Sequence, residues 1–105
     1  MVNLPRRYIG LPMVVYCNPR DAPHDVRVKA SPVHGDRMIE DLAISIAIRP
    51  EPHYPAGEQG RLLQEDFDAV AARIRRNQDL LVAYWNRQID TNEFRRRVAE
   101  HLCEP

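Results

Sequence analysis

The chain has 105 residues, 44% of them hydrophobic and 29% charged, with 15 acidic against 15 basic residues. That length predicts a single domain over 1–105, with one modest core that needs no metal or disulfide. Residues 1–60 carry 7 charges of each sign and residues 61–105 carry 8 of each, so neither half is a tail built for a polyanion or polycation.

"MVNLPRRYIG" opens the chain without the apolar run a secretory leader needs. The longest clean apolar stretch, "LAISIAI", is far short of a membrane span. A cytoplasmic protein with no membrane partner is the expectation, and Cys17 and Cys103 are then reduced thiols. Eight of the nine prolines lie in the first 55 residues. Proline fixes φ and removes a donor, so the first half is expected to form strands and loops and the second half helices.

"LPMVVYC" (Leu11 to Cys17) reads as a strand, short and rich in β-branched residues. "DVRVKA" alternates, with Val26, Val28 and Ala30 on one face and Arg27 and Lys29 on the other. "SPVHGDR" has turn chemistry, with Gly35 free to take positive φ. "LAISIAI" alternates again, Leu42, Ile44, Ile46 and Ile48 against Ala43, Ser45 and Ala47, and is expected to be the central strand. The prolines and glycines of residues 49–60 predict an exposed loop.

From Gln64 the period becomes helical. Phe67, Val70, Ala71, Ile74, Leu81 and Trp85 share one face, broken at Asn77–Gln78, so one bent helix or two short ones follow. "RQIDTN" is a turn, Asp90 or Thr91 can cap the next helix, and Phe94, Val98 and Leu102 give it an apolar stripe. The fold class is α+β: a small antiparallel sheet of about three strands, then two or three C-terminal helices packed on one face.

Candidate chemistry is sparse. Cys17, His24 and His34 fall on or beside neighbouring strands, but a zinc site needs three or four ligands, and no paired-ligand spacing occurs; no metal or cofactor is expected. Cys17 ends an apolar strand and reads as a small buried hydrophobe rather than a nucleophile paired with His24. Asp21 and Asp25 read as turn formers. Fourteen of the fifteen basic residues are Arg, but Arg95, Arg96 and Arg97 fan out around their helix, and Glu93 stands four before Arg97.

Two segments together resemble an uncharacterised bacterial family, domain of unknown function 4160. The first is "GLPMVVYCNPRDAPHDVRV", where Pro23 and His24 match a Pro-His loop between two strands. The second is "NQDLLVAYWNRQIDTNEFRRR", where Asp79, Leu80, Leu81 and Trp85 match a helix end before a short turn. Val26 stands where the family usually carries a second histidine. The resemblance implies a small α+β domain of bacteria, found in compact two-gene arrangements like toxin–antitoxin modules, and no established activity.

The expected function is therefore a non-enzymatic interaction or regulatory protein acting through a protein partner. The toxin–antitoxin-like setting is what the resemblance implies, and a phage-encoded or defence-related inhibitor of this small size without an active site would look the same. His24, Arg27, Tyr84 and Arg87 are the partner-binding candidates, since Tyr and Arg are enriched at interaction hot spots. Near-zero net charge also admits a homo-oligomer. The alternative is an RNA-binding protein or ribonuclease toxin, with His24 as acid or base and Arg73 and Arg76 on phosphate.

Overall fold

A computed structural model describes residues 2–4, 11, 13–17, 25–35 and 42–101. Among these residues four strands, β1 (Val2–Leu4), β2 (Met13–Cys17), β3 (Arg27–His34) and β4 (Ile44–Ala47), precede three helices, α1 (Gln64–Arg76), α2 (Gln78–Trp85) and α3 (Thr91–His101). The strands form an antiparallel meander in the order β1-β2-β3-β4. This is the expected α+β architecture, with Val2–Leu4 as an edge strand that the apolar pattern did not reveal.

Alternation sets what the sheet buries. Met13, Val15 and Cys17 on β2, Val28 and Ala30 on β3, and Ile44 and Ile46 on β4 all enter the core. Val70, Ala71 and Ile74 of α1, Leu80, Leu81, Tyr84 and Trp85 of α2, and Phe94 and Val98 of α3 are buried too. Apart from Ala71, these residues form one core cluster. Helix and sheet periodicities thus converge on one layer. On the opposite sheet face Tyr16 pairs with Lys29, and Lys29 with Ser45. Lys29 is exposed, as a wet strand face requires.

The break at Asn77 divides two helices. Its N–H reaches back to Arg73 and Ile74 carbonyls, while its own carbonyl starts α2 by accepting from Leu81. Asp90 caps α3, its Oδ1 accepting the Glu93 N–H at 2.8 Å. Glu93 lies nearest Arg96 (3.9 Å) rather than the expected Arg97.

Three expectations are corrected. β4 is an edge strand, not central. Its outer side is occupied by a bridge in which Ala47 and His53 exchange backbone hydrogen bonds at 2.7 and 3.1 Å. The segment after β4 is accordingly fastened rather than simply exposed: Pro52 is buried, the Tyr54 ring lies 4.8 Å from Phe67, and the Tyr54 hydroxyl accepts the Leu62 N–H. "SPVH" belongs to β3 rather than to a turn. Between the pairs Met13↔His34 and Val15↔Ala30 the strand carries an irregularity, and Ser31 Oγ closes a local turn by accepting the Val33 N–H.

Glu58 seals the rest of the β4 edge, accepting from the Ser45 and Gly60 N–H groups. Burial alone would raise this carboxyl, but those two donors and the charge of Arg61 outweigh it and hold the group below its ordinary value. A depressed carboxyl stabilises the fold above the unfolded value of about 4.3 and loses that contribution as pH falls through the folded value. Glu58→Gln is expected to lower stability by about 1–2 kcal/mol at pH 7. Urea titrations should show the difference from wild type closing below about pH 4.

Candidate functional site

The Cys17 thiol is 3% exposed, and burial pushes it up to about 12. It is therefore protonated and unreactive at neutral pH. It lines a narrow cavity of about 30 Å³ between sheet and helices, with Val15, Val70, Ile74 and Leu81 around it. The cavity reads as a packing gap beside a small apolar side chain.

One partly buried polar pair is one that the sequence pattern does not join. His34, the partner of Met13 across β2 and β3, places Nε2 2.8 Å from Oδ2 of Asp66 in the first turn of α1. Asp66 is 5% exposed, whereas the His34 side chain is 53% exposed. The pair ties the end of the sheet to the start of the helical half. An acid in a first helical turn reads as a dipole partner, so Asp66 does not stand out by pattern.

Around that tie lie the exposed large apolar residues of the described chain: Val33 at 45%, Leu42 at 49% and Leu63 at 65%. Val33 precedes His34, and Leu63 is three before Asp66. Leu42 is two before Ile44, whose side chain abuts Gly60. The three share one end of the molecule. Leu42, expected among the inward residues of its strand, is open because β4 begins only at Ile44.

Of the candidates named from sequence, Tyr84 and Arg87 line one pocket of about 340 Å³ at the α2–α3 turn, and Arg27, Arg73 and Arg76 lie elsewhere. Tyr84 is 2% exposed, stacks on Phe94 with centroids 4.4 Å apart, and hydrogen-bonds Thr91 through its hydroxyl. Its ring is thus part of the core cluster. Arg87 is exposed on the α2–α3 turn at φ 60. Its N–H bonds to the Tyr84 carbonyl and the Gln88 N–H to the Ala83 carbonyl, a helix ending that usually places glycine where Arg87 stands. Arg27 lies on the far sheet face from these helices, its Nε buried without a hydrogen-bond partner. Arg73 and Arg76 part company, Arg73 lining the Cys17 cavity and Arg76 a separate pocket behind Asn77. His24, Asp21 and Cys103 lie outside the described residues. Asp25 holds Arg49 through contacts of 2.7–3.1 Å. With both side chains about half exposed, that pair adds little stability.

No helix among the described residues is long and apolar enough to cross a membrane. Comparison of the chain with protein-family models, curated proteins and solved structures finds no match.

Proposed function

We propose that this is a non-enzymatic interaction protein acting through a protein partner. The observation that carries the reading is the exposure of Val33, Leu42 and Leu63 at one end of the fold. Exposed apolar groups that gather rather than scatter are suited to contact with another protein. Arg87 adds support, because an arginine held where glycine fits better stores local strain of the kind found at functional positions. The resemblance to the 4160 family supplies the setting: a partner encoded beside this chain, as in toxin–antitoxin-like or phage-defence pairs.

The alternative, a ribonuclease using His24, is separated from this reading by one assay. Purified protein incubated with RNA in excess chelator is expected to leave it intact, and His24→Ala is expected to retain any cellular phenotype. A general acid or base contributes typically 10²–10⁴-fold to rate. Chelator-resistant cleavage by wild type that disappears in His24→Ala would put the ribonuclease first.

A further inference from the structure

The helices take one face of the sheet. On the other, strand register sets two rows of side chains. Tyr16, Lys29 and Ser45 are cross-strand neighbours in the first row. Arg27 and Ala47 pair in the second, two residues further along their strands. His53 continues that row through its backbone bridge with Ala47. Lys29 and His53 are exposed, and Tyr16, Arg27, Ser45 and Ala47 are partly exposed. None of these six residues is acidic. Asp25, two before Arg27, holds Arg49 at 2.7 Å. Arg27 and Lys29 themselves have no ion-pair partner among the described residues. On a chain of zero net charge, this face therefore sets two uncompensated cations beside an aromatic ring.

We propose that this sheet face binds single-stranded nucleic acid, with one base stacked on Tyr16 and the flanking phosphates on Lys29 and Arg27. An aromatic ring on a helix-backed antiparallel sheet is a recurrent platform for unpaired bases, and every base has a face that can stack. Arg27 and Lys29 lie two residues apart on one strand, roughly 7 Å, so they can meet successive backbone charges instead of converging on one group. Ser45 and Ala47 are short side chains, which leaves the sheet low beside the two cations and open to a flat ligand. An acidic peptide would match the charge alone and makes no use of the ring. No base-edge reading is called for, so the site is one of general affinity with strong salt dependence. Its ligand and its residues differ from those of the protein contact proposed above. The alternation of "DVRVKA" marks Arg27 and Lys29 as facing water, but only the pairing of β2 with β3 brings Tyr16 beside them.

The test is fluorescence anisotropy of labelled octauridylate and octathymidylate titrated with the protein at low salt, with a glutamate octapeptide as competitor. Saturable binding of both oligonucleotides is expected, since nothing in either row is called on to read a 2′-hydroxyl. Tyr16→Leu, which keeps apolar bulk on the strand, should weaken binding about tenfold, the scale of one lost base–aromatic stack. Lys29→Gln should lessen the slope of log K against log salt by roughly 0.7, as loss of one phosphate contact to a single strand does. Arg76→Gln, on the helical side, should change neither quantity. All three variants are expected to keep the wild-type thermal midpoint, and amide NMR shifts should centre on Tyr16, Lys29 and Ser45. Absence of saturable binding, or binding that survives Tyr16→Leu and Lys29→Gln and falls with Arg76→Gln, would overturn the proposal. Displacement by the glutamate octapeptide as readily as by unlabelled oligonucleotide would also overturn it, by showing a surface that recognises acidic protein through charge alone.

Discussion

Trp85→Ala is expected to lower the free energy of unfolding by about 3–5 kcal/mol, the usual loss for a large buried aromatic. Trp85 ends α2 and is 3% exposed, within the cluster that joins sheet and helices. Truncation removes apolar area and leaves a cavity that the surrounding strands and helices can close only in part. For a chain of this size each kcal/mol moves the thermal midpoint by roughly 4–8 °C, so a fall of more than about 10 °C should accompany the loss. Urea unfolding of wild type and variant measures it directly. A loss below about 1 kcal/mol would mean that Trp85 packs loosely and that the helical layer is not held as described.

His34→Ala should produce the next largest effect. It strips the Asp66 carboxylate of its 2.8 Å partner while leaving the carboxylate buried. An unsatisfied buried charged group costs about 1–3 kcal/mol or more. The exposed side of His34 lets water approach, which places the expected loss near the lower part of that range. The double variant His34→Ala with Asp66→Ala should recover part of the loss, since no buried charge is then left alone. A double variant that loses the sum of the two single losses would show that the pair does not couple β3 to α1.

The periodic parts of this fold were legible in the sequence because they are repetitive. Val26, Val28 and Ala30 are buried as their alternation predicts. The helical stripe from Phe67 to Trp85 breaks at Asn77, where the period itself falters. What depends on non-local pairing was not legible. "LAISIAI" carries the composition of a central strand, yet lies at an edge because His53 and Glu58 return to cover it. Tyr84 carries the composition of a hot spot, yet its ring is spent on Phe94. Asp66 and His34 are 32 residues apart, and no local pattern joins them. The grouping of Val33, Leu42 and Leu63 has the same origin: each is an ordinary apolar residue until the fold brings three segment ends together.

We propose that the apolar end of this molecule, at Val33, Leu42 and Leu63, is where a protein partner binds. The direct measurement is native mass spectrometry of tagged protein purified from its host, comparing wild type with a Leu42→Asp, Leu63→Asp double variant. Both residues are exposed, so the variant should keep the wild-type thermal midpoint, as surface changes do to within about 0.5 kcal/mol. The expected result is a defined complex for wild type, with a second protein in fixed stoichiometry, and free monomer for the variant. The same complex at the same yield from the double variant would contradict the claim.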